Sequence, residues 1–161
     1  MSRTFYESRI KPSVLDRLID EEPGVSHDPE EQRPPDLRQL KQAVIRDLER
    51  LLNTRRAVTG VPADLKEVNN SLAVYGLPDF TTYSSKNPAD LKRMGRAIED
   101  AISTFEPRLE NVVVTVEPVS EIERAMHFRV DASLRVKPVP VPVTFDTSLQ
   151  LGSGWYVVQD R

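Results

Sequence analysis

The chain has 161 residues, 25 acidic and 22 basic, with a net charge of -3 and no cysteine. That length suits one domain around a single core, and so even a charge balance lacks the basic footprint that nucleic-acid binding needs. No apolar run approaches the roughly 20 residues of a membrane span, and without thiols neither disulfides nor thiolate-held zinc can form. The first residues, Met1-Ser2-Arg3-Thr4-Phe5-Tyr6-Glu7, contain no apolar stretch or cleavage-like site of a secretory signal, so a cytoplasmic location is expected.

In chain order, Ser13-Val14-Leu15-Asp16 is a helix-starting box, with Pro12 before it and Leu18-Ile19 after it. It predicts a short amphipathic helix. Glu21-Glu22-Pro23-Gly24, Asp28-Pro29-Glu30-Glu31 and Pro34-Pro35 then combine acid and proline without periodicity, which reads as an exposed connection. Residues 1–35 are therefore expected to be a short helix on an acidic tether, and residues 36–161 a single α+β domain. The short helix either joins the core or reaches a neighbour.

Asp36 can cap the next helix, in which Leu37, Leu40, Val44, Ile45, Leu48, Leu51 and Leu52 recur at helical spacing. Arg38, Gln42, Arg46, Glu49 and Arg50 fall on the opposite side. Thr54-Arg55-Arg56 follows, and its two cations either suit the helix end electrostatically or meet an acidic partner. Within Val74-Tyr75-Gly76-Leu77-Pro78-Asp79-Phe80, aromatics flank Gly and Pro, which predicts an ordered loop held by its rings. Asp64–Val68 is expected to form a helical turn.

Asn87-Pro88 starts a second long helix, with Asn as cap and Pro at the first helical position. Leu91, Met94, Ile98, Ile102 and Phe105 form its buried stripe, and Lys92, Arg93, Arg96, Glu99 and Asp100 its wet side. Gly95 costs about 1 kcal/mol against Ala inside a helix, so a close approach is expected there.

That helix should end at Phe105-Glu106-Pro107-Arg108-Leu109. Pro107 fixes its own φ, donates no hydrogen bond and pushes Glu106 out of helical geometry. In an extended segment Glu106 and Arg108 project to one side. They either pair with each other or offer a carboxylate and a guanidinium to a partner from a stiff corner.

The C-terminal third is strand-like. Val112-Val113-Val114-Thr115-Val116 is β-branched throughout. Met126, Phe128, Val130, Ala132, Leu134 and Val136 alternate with His127, Arg129, Asp131, Ser133 and Arg135. Val143, Phe145, Leu149 and Leu151 repeat the pattern, and Gly152-Ser153-Gly154 turns the chain into Trp155-Tyr156-Val157-Val158. The run Pro138-Val139-Pro140-Val141-Pro142-Val143 reads either as a stiff connector, the preferred reading, or as an edge strand stripped of donors. The expected fold class is α+β: two long helices and the short N-terminal helix on one face of a mainly antiparallel sheet.

Little here suggests catalysis. His27 lies in the acidic stretch and His127 on a strand's polar face, so neither a histidine-held metal nor a histidine base is expected. No phosphate-cradling or nucleophile-elbow motif occurs, and no cofactor is expected.

Asp47-Leu48-Glu49-Arg50-Leu51-Leu52-Asn53-Thr54-Arg55-Arg56, Tyr75-Gly76-Leu77-Pro78-Asp79-Phe80 and Phe105-Glu106-Pro107-Arg108-Leu109 occur in this order, after Ser13-Val14-Leu15-Asp16-Arg17-Leu18. The ordered set resembles the TssE family, baseplate subunits of the bacterial type VI secretion system related to small wedge proteins of contractile phage tails. The resemblance covers most of residues 13–158 and implies a non-enzymatic part of a hexameric cytoplasmic baseplate. It implies wedge subunits as partners, with the Glu-Pro-Arg motif at Glu106, Pro107 and Arg108 holding them. It also implies that contractile sheath subunits pair with the C-terminal strands by edge addition. Arg55 and Arg56 are the further candidate partner contacts. A phage-derived tail protein is the near alternative, and a peptidoglycan hydrolase the distant one.

Overall fold

The computed structural model describes residues 37–84, 86–117, 125–150 and 152–161. The helix box at Ser13, the acidic stretch, Asp36 as cap, the boundary at residue 35, His27 and Leu151 all lie outside the described residues.

Helix α1, Leu37–Leu52, buries Leu40, Val44, Leu48, Leu51 and Leu52, the stripe its periodicity predicts. The short helix α2, Lys66–Asn69, and a 3-10 turn, Leu72–Val74, follow. Helix α3, Pro88–Phe105, starts as its sequence indicates: the Asn87 side chain accepts from the Ala89 N–H at 3.0 Å, and Pro88 fills the first turn.

Strands β1 (Leu109–Val116), β2 (Ala125–Leu134), β3 (Val141–Gln150) and β4 (Trp155–Asp160) form one antiparallel sheet in sequence order. Both long helices pack on its apolar face, α3 against β1 and α1 against β4. The core runs through Val44, Leu48, Ile98, Ile102, Phe128, Val130, Leu134 and Phe145. The α+β reading holds, with two long helices and one short one among the described residues.

Three local features go beyond or against the sequence reading. The unbroken valine run hides a bulge between Glu110 and Val113, where Asn111 takes φ 53°. One extra residue there moves Val114 and Val116 onto the core face opposite Val130 and Phe128. The proline-rich connector is also shorter than expected, because Val141, Pro142 and Val143 already pair with Leu134, Ser133 and Ala132. Thr144 directs its carbonyl toward the β4 side, accepting from the Arg161 N–H. Pro142, two residues earlier, has its ring nitrogen on that same side, outside the stretch of β3 paired with β4, so no ladder donor is lost.

The third feature concerns Glu49 and Glu99, expected on the wet helix faces. Both are half-buried and turned to the sheet's outer edges. Glu99 accepts from the Val114 N–H of β1 at 3.0 Å, and Glu49 from the Val158 N–H of β4 at 3.0 Å. A helix beside an open strand offers acceptors where a further strand would otherwise supply them.

Candidate functional site

The chain leaves α3 through Glu106, whose φ of -115° and ψ of 82° are non-helical, as Pro107 requires. Glu106 and Arg108 do project together. Arg108 Nε donates to Glu106 Oε1 at 2.7 Å and Nη2 to Oε2 at 2.5 Å, a two-point fork. The Arg108 N–H also donates to Oε1, at 3.1 Å, closing the corner on itself.

A third member joins from α1: Arg108 Nη2 donates to Asp47 Oδ2 at 2.5 Å. One guanidinium thus ties the end of α3 and the start of β1 to the middle of α1. Burial works against the charged arginine, but the hydrogen bonds and charges of Glu106, then Asp47, outweigh it, and Arg108 is held above its ordinary value. Tyr75 stacks edge-on against Phe105 at 5.2 Å. Burial raises its phenol, the charges of Asp47 and Glu106 push the same way, and Arg50 opposes them.

This geometry corrects the picture of an outward-facing pair. Glu106 is only 4 % exposed and the Arg108 side chain 19 %, so the corner is mainly an internal clasp. Pro107 is exposed. Around the clasp, Arg46 Nε lies 3.5 Å and Arg50 Nη1 3.7 Å from Asp47 Oδ1; Arg50 is half-exposed, and Arg46 less so.

Arg55 and Arg56 follow the last turn of α1, which is closed by Thr54 Oγ1 donating to the Arg50 carbonyl at 2.6 Å. They clamp the aromatic loop through their backbones. Arg55 bridges Leu77, and the Arg56 N–H donates to the Leu77 carbonyl at 2.8 Å. The Arg55 side chain is exposed, 3.6 Å from Asp79. Asp79 is held below the usual carboxylate range mainly by hydrogen bonds from Thr81, with Arg55 adding to the effect. Gly76, at φ 99°, allows this clamp, since a Cβ there would lie 2.3 Å from the Thr54 carbonyl oxygen.

The sequence reading missed Asp47, Glu49, Glu99 and Asn53. Asn53 donates from Nδ2 to the Tyr156 carbonyl and accepts from the Tyr156 N–H, both at 2.8 Å, as a neighbouring strand would. With Glu49 on Val158, α1 holds the outward N–H groups of β4 at both positions. Edge addition to β4, implied by the family resemblance, therefore meets an edge already occupied by α1. No local sequence signal marks these residues, because their partners lie far along the chain.

A cleft of about 380 Å³ opens beside the loop, lined by Leu52, Leu77, Phe80, Met94, Met126 and Leu149 among others, with Asp79 its one carboxylate among the described residues. A glycosidase of the usual kind places two carboxyls across its cleft. Among the described residues no cluster of His, Cys, Asp or Glu could hold a metal, and no helix is long and apolar enough to cross a membrane.

The model of the family described as "Baseplate wedge protein gp25" matches residues 38–139, from the start of α1 through β2. The chain belongs to that family. The kinship expected from the ordered motifs is borne out, and the match includes the corner, the aromatic loop and both long helices. A solved structure described as "The baseplate complex from the type VI secretion system" contains a chain that shares this fold. It has a TM-score of 0.51 and 23 % identity, over 74 % of this chain and 95 % of that one. No curated protein matches.

Proposed function

We propose that this baseplate wedge family member is a non-catalytic, TssE-like subunit of a cytoplasmic type VI secretion baseplate. In that role it binds wedge subunits, stands in several copies in a hexameric ring, and supports the start of contractile sheath assembly. The observation that carries the reading is the family match across residues 38–139. The fold shared with a chain of a type VI baseplate complex agrees with it. A family named for baseplate wedges equally accommodates a phage-derived tail, and the neighbouring genes distinguish the two.

The clasp suits a scaffold. It fixes α1, α3 and β1 as one body, so that surface groups such as Arg50, Arg55 and Pro107 keep fixed spacings for a partner. Glu106 and Arg108 then serve recognition by holding that surface in place.

Co-expression with candidate wedge and sheath subunits tests the proposal. The chain should co-purify with the wedge subunits, and cells lacking it should form no sheaths. Arg50→Glu/Arg55→Glu should weaken capture without loss of fold. Normal sheath assembly in the deletion strain would overturn the proposal. Unchanged capture by the double variant would remove these arginines from it.

A further inference from the structure

Residues 57–76 leave the fold and return to it at one point. The Thr54 carbonyl accepts from the Leu77 N–H, and the Leu77 carbonyl from the Arg56 N–H, both at 2.8 Å, so the two ends of this excursion are pinned together. Its own hydrogen bonds fix what lies between. Asn69 Nδ2 donates to the Pro62 and Leu65 carbonyls at 2.8 and 3.0 Å. Ser71 Oγ donates to the Val68 carbonyl at 2.8 Å and accepts from the Ala73 N–H at 3.3 Å. Burial contributes little, since no residue from Ala57 to Ala73 is buried.

Apolar side chains nevertheless collect on its outside. Of the seven large apolar residues that stand exposed among the described residues, four lie in this stretch: Val58, Leu65, Val68 and Leu72. Leu72 is 83 % exposed, the most of the seven. Leu65 and Val68 stand one turn apart at α2, and Leu72 follows across the Ser71 turn. Apolar residues scattered singly over a surface need no explanation, but a cluster of them marks a contact site. A support already held in one conformation lowers the ordering cost of binding.

The backbone narrows the choice of occupant. The N–H groups of Leu65, Lys66, Asn69, Asn70 and Ser71 already donate within the excursion, so it offers no strand edge and a partner meets side chains. Charge narrows it further. Arg56, at the base of the excursion, is half-buried, and its Nε is closed to solvent without a hydrogen-bond partner among the described residues. A carboxylate brought to that guanidinium relieves the cost of leaving it unpaired.

We propose that Leu65, Val68 and Leu72 receive the apolar face of an amphipathic helix from a partner protein, and that an acidic residue of that helix pairs with Arg56. A helix presents apolar anchors three and four residues apart and keeps its charges on the other side. The choice of partner, another wedge protein, rests on the reading of this chain as an assembly subunit.

Co-expression of the full chain with the wedge subunits tests the surface. Leu65→Gln/Leu72→Gln should weaken their capture about tenfold or more, the weight of two leucines buried on binding. It should leave the urea midpoint at the parent value, because both side chains are already exposed. Arg56→Gln should weaken capture severalfold. A photocrosslinker in place of Leu72 should attach to a wedge subunit at positions three or four residues apart, close to an Asp or Glu. Attachment to a second copy of this chain, or to no protein, would overturn the proposal. Undiminished capture by Leu65→Gln/Leu72→Gln would do the same and leave the assembly reading standing. A parent chain that captures no wedge subunit overturns that reading and this surface together.

Discussion

Asn53 and Tyr156, 103 residues apart, exchange two hydrogen bonds of 2.8 Å, one in each direction between side chain and backbone. A single amide side chain thereby does for β4 what a neighbouring strand would. Asn53→Ala should cost about 1–3 kcal/mol, because it leaves a half-buried N–H and C=O without their partner. Urea unfolding measures that loss. Hydrogen exchange at the Tyr156 amide should accelerate before the rest of the sheet does.

The clasp makes a sharper prediction. If Glu106 and Arg108 offered their groups outward to a partner, Arg108→Ala would spare the fold. With Glu106 nearly sealed, removing the guanidinium instead leaves that carboxylate without its partner, while Asp47 keeps only its longer contacts to Arg46 and Arg50. Arg108→Ala should therefore destabilise by about 3 kcal/mol, near the lower end for a broken buried pair because the arginine is partly exposed. Glu106→Gln/Arg108→Met, which removes the charge on both sides of the fork, should cost less than the single change. Denaturant midpoints of the two variants decide between these outcomes.

Gly76 and Gly95 should respond differently to alanine. At Gly76 the new Cβ meets the Thr54 backbone oxygen at 2.3 Å in left-handed geometry, and neither can yield cheaply. Gly76→Ala should cost at least about 2 kcal/mol. At Gly95 the nearest atom is a Val116 methyl at 3.1 Å, which can shift by a small rotation. There the helix gain of about 1 kcal/mol offsets the crowding, and Gly95→Ala should fall near neutral in thermal melts.

Alkaline pH should weaken the fold through Tyr156. Burial pushes its phenol above the ordinary 10.0, and the hydroxyl has no hydrogen-bond partner among the described residues. The unfolded chain then releases this proton near pH 10 while the folded chain keeps it. The contribution is intact below pH 10 and falls by about 1.4 kcal/mol per pH unit above it, until the folded phenol also ionises. Tyr156→Phe should flatten that slope in urea titrations run on either side of pH 10. Tyr75, raised by burial and by Asp47 and Glu106, contributes with the same sign.

The sequence by itself determined the elements whose causes are local. Leucine spacing gives α1, Asn87 and Pro88 start α3, Pro107 ends it, and two-residue alternation from Met126 and Val143 gives β2 and β3. These follow from neighbours a few residues apart, as does the projection of Glu106 and Arg108 to one side. The ordered short motifs also sufficed to point to the family.

Only the tertiary structure decided which way the corner faces and what closes the sheet. Asp47 meets Arg108 across 61 residues, Glu49 meets Val158 across 109, and Glu99 reaches Val114 across 15. Helical and strand periodicities fix the direction of a side chain within its own element, but not what stands opposite. A charged residue on a predicted wet face reads the same whether it meets water or the backbone of a distant strand. Packing α1 and α3 beside the sheet edges is what separates the two cases.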